Sequence, residues 1–170
     1  MKYINTFSDS PVEKLFDITK LVLFDYREFK GDIPENYEAH NFWEMVYVCE
    51  GSICEVSNNK QITLKSGDLL FHAPNHPHST IKDNDNTAVV CFISFVSNSE
   101  AMSTFKNYKT SITENTLHLI EALIHEGRNA FKVSHKNDIT KLIRRTDSPP
   151  GSSQLYVLYL KALLINLFRE

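Results

Sequence analysis

The chain has 170 residues, 42% of them hydrophobic and 23% charged, and a net charge of −3. That is the make-up of an ordinary soluble globular domain with room for one real core and an appendage. It excludes a domain that grips nucleic acid unaided, which needs a basic surplus against phosphate.

The N-terminal MKYINTFSDSPVEK lacks the apolar centre of a secretion signal and reads as a mature cytoplasmic start. Residues 3 to 10 read as irregular. Within Lys14 to Lys30, LFDITKLVLFDYREF carries two short strand-like runs before a turn at Gly31 to Pro34. Three cysteines, Cys49, Cys54 and Cys91, lie in apolar runs and are odd in number, which fits reduced, buried thiols.

From residue 38 the sequence reads EAHNFWEMVYVCEG, aromatic and β-branched, with a turn glycine at its end. A strand there puts Glu38, His40, Phe42, Glu44, Val46 and Val48 on one face, polar at its start and apolar at its end, with Trp43 on the other. Turn signals then recur at Gly51-Ser52, Asn58-Asn59, Ser66-Gly67, Pro74 to Pro77 and Asp83 to Asn86. Short strands at that spacing predict an antiparallel sandwich or small barrel. Thr87 to Val96 (TAVVCFISFV) fits a central strand buried on both faces, the last of the β portion.

The period changes after that. TENTLHLIEALIHEGRNAF has a helical stripe at Leu117, Ile120, Leu123, Ile124 and Phe131, with Thr113 or Asn115 as cap. Residues 132 to 153 are polar and mildly basic; Asp138 to Arg145 is compatible with a short helix, and SPPGSS is a linker. In the final helix, Leu155 to Phe168, only Lys161 and Asn166 are polar. Fourteen residues are too few to cross a membrane, and a helix apolar nearly all round needs cover on more than one side. One side can lie on the barrel or on the preceding helix, and the same helix of a second subunit covers the other most simply, through Leu155, Leu158, Tyr159, Ala162, Leu163 and Asn166; burial wholly within the monomer is the alternative.

The candidate site is the polar end of the residue 38 face. If Glu38, His40, Glu44 and His78 converge inside a barrel, they are the nitrogen and oxygen donors that hold zinc, iron, manganese or nickel. They equally suit hydrogen bonds to a ligand hydroxyl. Phe42 faces the cavity, and Tyr26, Arg27, Tyr47 and Phe95 are further candidates for lining a small polar ligand such as a sugar. His72 and His76 have the parity or loop position of turn or surface histidines. His118, His125 and His135 read as solvated. Phosphate-cradling glycine loops and nucleophile motifs are missing.

Glu38-x-His40-x3-Glu44-x6-Gly51 resembles the first motif of the cupin superfamily, which has His at the place of Glu38. Gly67-x5-Ala73-x-Asn75-x2-His78 is similar to the second, with Ala73 for the usual Pro and Asn75 for the usual Gly. Within cupins, FWEMVYVCEG and KSGDLLFHAPNHPHS look most like the sensory domain of AraC-type transcriptional regulators. The resemblance implies a mainly β fold: a cupin-like antiparallel barrel (jelly roll) over residues 1–100 and a helical dimerisation segment over 101–170. A DNA-binding helix-turn-helix domain is then expected beyond Glu170. It further implies a non-enzymatic domain that binds a small-molecule effector, forms a homodimer through the C-terminal helices, and meets DNA only through the domain that follows. No cofactor is required on this reading; a divalent metal at His40, Glu44 and His78 is an option. The alternatives are a metal-dependent cupin enzyme, isomerase or dioxygenase, using those three residues, and a free-standing carbohydrate-binding cupin.

Overall fold

A computed structural model describes residues 10–30, 37–82, 87–137 and 139–170. The turns expected at Gly31 to Pro34 and Asp83 to Asn86, and nearly all of residues 3 to 10, lie outside the described residues. The chain is mainly β and antiparallel, with a C-terminal helix, as its pattern predicts.

β1 (Lys20–Phe29) is one strand with an irregularity between Leu21 and Leu23, where the sequence suggested two short runs. β2 (Trp43–Glu50), β3 (Ser52–Ser57), β4 (Lys60–Lys65), β5 (Asp68–His72), β6 (Ser79–Lys82) and β7 (Ala88–Val96) follow. They form a five-stranded sheet in the order β1-β7-β2-β5-β8 and a three-stranded sheet in the order β4-β3-β6. β8 (Lys109–Ser111) comes later in the chain and pairs with β5. The β portion therefore does not end at Val96.

The turn residues do specific work. Asn58 and Asn59, with φ of 50° and 58°, make the tight turn of the β3–β4 hairpin. Gly51 marks the corner where the chain leaves one sheet for the other. Its φ is 73°, and a Cβ there would lie 2.2 Å from the Thr87 carbonyl oxygen, so only glycine fits. The second corner, at Ser66-Gly67, is tied to the first: Ser66 N–H donates to the Gly51 carbonyl and Gly67 N–H to that of Val48.

Strand alternation sorts the side chains into two cores. Val46, Val48, Ile53, Leu64, Leu70, Ala88 and Val90 fill the space between the sheets. Trp43, Met45, Tyr47, Leu69, Phe71, Cys91, Ile93 and Phe95 face the opposite way and pack with the helices. The five-stranded sheet is thus covered on both faces, which is why β7 reads as a near-continuous apolar run, interrupted at Ser94.

α1 (Glu114–Ala130) is capped by Thr113, which exchanges side-chain and backbone bonds with Thr116. It packs on α2 (Ser152–Arg169) and meets β1 at Gly127, where a Cβ would stand 2.4 Å from the Phe24 ring. Between the helices lies a correction. The expected helix at Asp138 to Arg145 is not found from Ile139 on, Asp138 itself lying outside the described residues: β9 (Phe131–Lys136) and β10 (Ile139–Arg144) form a hairpin, with Asn137 at a φ of 52°. Arg145 N–H then bonds the Ala130 carbonyl at the end of α1. The hairpin also lies against β1, and that tertiary contact outweighs a weak local helical preference.

On α2, Tyr156, Leu160, Leu163, Leu164 and Leu167 are buried within the chain. Leu163 is therefore a core residue and not a free interface residue. Leu155 and Leu158 remain 40% and 53% exposed, with Tyr159, Ala162 and Asn166 half-buried beside them.

Candidate functional site

The site is a polar layer across one end of the space between the sheets, and strand register explains its assembly. On the five-stranded sheet Glu44 of β2 lies between His72 of β5 and Ser94 of β7. On the facing sheet Glu55 of β3 lies between Ile62 of β4 and Thr80 of β6. Each carboxylate takes a hydroxyl from its neighbour: Ser94 Oγ donates to Glu44 Oε2 at 3.0 Å, and Thr80 Oγ1 to Glu55 Oε1 at 2.6 Å. His72 spans the gap, its Nε2 3.1 Å from Glu55 Oε2. Glu55 and His72 are each only 2% exposed.

His40 and His78 arrive on irregular chain. Glu38 is not part of a strand running into β2; it forms an isolated bridge with His78, and each backbone N–H donates to the other's carbonyl. Asn75 N–H donates to the His40 carbonyl. The two expected motifs are thus stitched together by main chain, and His78 Nε2 comes to 3.3 Å from Glu44 Oε1. His40 Nε2 is 3.8 Å from Glu44 Oε2, and Glu38 Oε1 is 3.8 Å from His78 Nε2, with Glu38 itself exposed. Phe42 stacks flat on His40 at 3.8 Å, and His72 stacks flat on His78 at the same distance.

The tautomers matter for chemistry. His40 Nδ1 lies 3.0 Å from the Phe42 carbonyl and His78 Nδ1 2.9 Å from that of His76. A carbonyl only accepts, so each Nδ1 carries the proton, and in the neutral ring each Nε2 presents a lone pair toward Glu44. His40 Nε2 is buried and has no hydrogen-bond partner among the described residues. One ligand atom from each of His40, Glu44 and His78 lies within 4.8 Å of the others. The donor set fits a divalent cation of the zinc or iron type. Without a cation, a proton takes the place. Burial works against charge on His78, but hydrogen bonding to Glu44 and to the His76 backbone raises its pKa above the ordinary 6.5. Burial likewise pushes Glu44 up, and the His78 hydrogen bond with the nearby imidazoles brings it below its ordinary 4.5.

Other expected positions lie elsewhere. Phe95 packs in the helix-facing core, on the face opposite Ser94, and so does not line the site. Arg27 sits on the edge strand β1, half exposed, paired with Asp25 and lying over the Phe29 ring. Tyr26 and Tyr47 line a separate open cleft of about 920 Å³ beside α1. Of its charged groups, Arg128 lies over Tyr26 and Arg145 pairs with Asp147, with Glu121 beside them. His125 pairs with Asn129, and His135 lies in β9, bonded to Thr140, not in a helix.

Two members of the layer escaped the sequence reading. His72 is not a surface histidine: it follows Leu70 by two in β5 and shares its inward face. Glu55 alternates with Ile53 in the same way. A carboxylate in phase with apolar, inward positions was the signal for Glu55.

Comparison with known proteins bears on this arrangement. The sequence model of the AraC-like ligand binding domain matches residues 34–125, more than half of the chain. The chain belongs to that family. No curated protein matches this AraC-like domain. Among solved structures it is similar to a cupin-2 domain protein from Shewanella frigidimarina, at 18% identity and a TM-score of 0.36, over 41% of this chain and 66% of that one. A cupin superfamily protein from Desulfitobacterium hafniense aligns at 13% identity and a TM-score of 0.41, over 46% and 70%. Hydroxypropylphosphonic acid epoxidase from S. wedmorenis aligns at 21% and 0.39, over 44% of the AraC-like domain and 43% of its own chain. The AraC-like domain thus spans less than half of that enzyme's length.

Proposed function

We propose that this chain is the effector-sensing and dimerisation part of an AraC-type regulator of transcription. It binds a small molecule between its two sheets, pairs with a second copy through the outer stripe of α2, and acts on DNA through a separate helix-turn-helix domain. The observation that carries this reading is a fully buried layer of two carboxylates and two imidazoles in a domain of the AraC-like ligand binding family. Burying such groups is costly, and nothing in packing the fold calls for them. Effector binding would act by favouring one arrangement of the paired subunits, which requires that the two arrangements differ in ligand affinity.

The test is thermal denaturation against a panel of metabolites, followed by mass spectrometry of the hit. A true effector at about 100 times its Kd adds about 2.7 kcal/mol of stability, and it is recovered chemically unchanged. Conversion of the hit to product contradicts the regulator reading. So does tight, sequence-specific gel shift of DNA by these 170 residues, given their net charge of −3.

A second reading rests on the Nε2 atoms of His40 and His78, both turned toward Glu44. A divalent cation at His40, Glu44 and His78 would replace the proton shared there, and would supply Lewis acidity to a metal-dependent cupin enzyme. Near-stoichiometric metal in protein purified without nickel resin, lost in His78→Ala, supports the centre; turnover then separates enzyme from sensor.

A further inference from the structure

α1 presents two faces. Leu119, Ile120, Leu123 and Ala130 are buried. Glu121, Ile124, His125, Arg128 and Asn129, spaced by three and four, share the adjoining face and form one wall of the cleft beside the helix. Tyr26 of β1 with Tyr47 and Cys49 of β2 makes the floor, and the chain just beyond β10 makes the far wall through Arg145 and Asp147. Tyr47 and Glu44 have opposite parity on β2, so the cleft lies across the five-stranded sheet from the polar layer. At about 920 Å³ it falls toward the upper end of the roughly 300–1,000 Å³ typical of small-molecule sites.

The fold leaves two of its polar groups unmatched. Tyr47 is only 8% exposed, yet its hydroxyl meets no hydrogen-bond partner among the described residues. A hydroxyl withdrawn from water costs free energy until a partner arrives. Burial, with Cys49 and Glu121 nearby, holds its pKa above the ordinary 10, so it remains an O–H donor. The Arg128 guanidinium lies 5.0 Å from the centre of the Tyr26 ring and makes no ion pair or hydrogen bond among the described residues. The ring orients the fork while its five N–H donors stay open.

The charges then select a class of ligand. Arg145 holds Asp147 by two bonds, Nε to Oδ1 at 3.1 Å and Nη2 to Oδ2 at 2.8 Å, and the pair is neutral. Burial pushes the Cys49 thiol up to about 11, so it carries no charge. Asn129 Nδ2 donates to His125 Nε2 at 3.0 Å, the arrangement of a neutral ring. There remain one cation, Arg128, and one anion, Glu121, seven residues away and so about 10 Å along the helix. A single carboxylate matches the planar Arg128 fork. A second negative charge would approach Glu121 or Asp147, and an uncharged ligand would leave Arg128 unmatched. Glu121 accepts a hydroxyl and Tyr47 donates to one, so the body of the ligand is hydroxylated.

We infer that the cleft between α1 and the five-stranded sheet is a second small-molecule site. It takes a hydroxylated monocarboxylate of the sugar-acid or hydroxy-acid kind, with Arg128 on the carboxylate and Tyr47 on a hydroxyl. The inference goes beyond the effector-sensing reading and does not depend on it. A ligand there touches the sheet, α1 and the chain beyond β10 at once.

Amide NMR titration of the 170-residue protein with gluconate, galacturonate and lactate tests this, with glucose as the neutral counterpart and glucarate as the dianion. At least one monocarboxylate is expected to bind, moving the amides of Tyr47, Cys49, residues 121–129 and residues 145–147. Arg128→Gln, at an exposed position, weakens it tenfold or more. Tyr47→Phe keeps the ring, removes only the hydroxyl, and weakens it threefold or more. Lys136→Gln removes an exposed cation outside the cleft and changes binding less than twofold. Equal losses in Lys136→Gln and Arg128→Gln mean general attraction of anions and overturn the site. Shifts confined to Glu44, Glu55, His72 and His78 overturn the location. Tighter binding of glucose or glucarate than of every monocarboxylate overturns the ligand class, and no binding across the panel overturns the inference. The sensing role is judged separately, by the thermal screen.

Discussion

The two ends of the space between the sheets are built by the same strands and could hardly differ more. At one end Val46, Val48, Ile53, Leu64, Leu70, Ala88 and Val90 pack as a dry core. Two residues along the same strands, Glu44, Glu55 and His72 take the same inward positions. The apolar end gains free energy from burial, about 25 cal/mol per Å² removed from water. The polar end gives much of that up, and its groups are held only because each finds a partner. On the proposed function, stability and recognition are separated along the strand axis, with a single step of the alternation between them.

The comparison can be broken most forcefully at the apolar end. Leu64→Ala is expected to cost about 2–5 kcal/mol by chemical denaturation, with ligand affinity of the folded fraction unchanged. At the polar end, Glu55→Ala leaves the His72 N–H and Thr80 O–H without an acceptor, and the expected cost is about 1–3 kcal/mol; here affinity for the effector should vanish. If Glu55→Ala is as costly as Leu64→Ala and leaves binding intact, the polar end is structural after all.

The shared proton sharpens the contrast through pH. A raised His78 pKa stabilises the metal-free fold below the ordinary 6.5, and that contribution is lost as pH rises through the folded value. The lowered Glu44 pKa contributes above the ordinary 4.5 and is lost as pH falls through its folded value. Stability of chelator-treated protein should therefore decline on the alkaline side of this window, and the decline should disappear in His78→Gln. Zinc affinity measured by competition should move the opposite way, falling as pH drops, because the metal must displace the His78 proton. The smallest effect on stability is expected outside both ends. Leu158→Glu should change unfolding free energy by less than about 0.5 kcal/mol while shifting sedimentation from dimer to monomer.

Much of this was legible in the sequence because local pattern and tertiary role agree. WEMVYV alternates, and its even residues do line the interior while Trp43 packs under the helices. Asn58-Asn59 and Gly51 turn where their conformational freedom is needed, and α1 begins at Thr113. The misreadings share one cause, dependence on partners distant in sequence. The β9–β10 hairpin is polar and mixes helix formers with β-branched residues, and its pairing becomes meaningful only against β1. His72 reads as a turn or surface histidine because it stands beside the Pro74 to Pro77 segment, whereas its place two residues after Leu70 in β5 turns it inward. Arg27 and Phe95 were placed by residue type, and their strands carry them to an edge and to the opposite face.

The close approach of Gly127 to the Phe24 ring sets how near α1 can lie to β1. Any larger residue there would push the last turn of the helix off the strand, while Leu119, Ile120 and Leu123 anchor its middle in the core. The opposite end is moored too, where the Thr113 hydroxyl donates to a Glu170 carboxylate oxygen at the tip of α2.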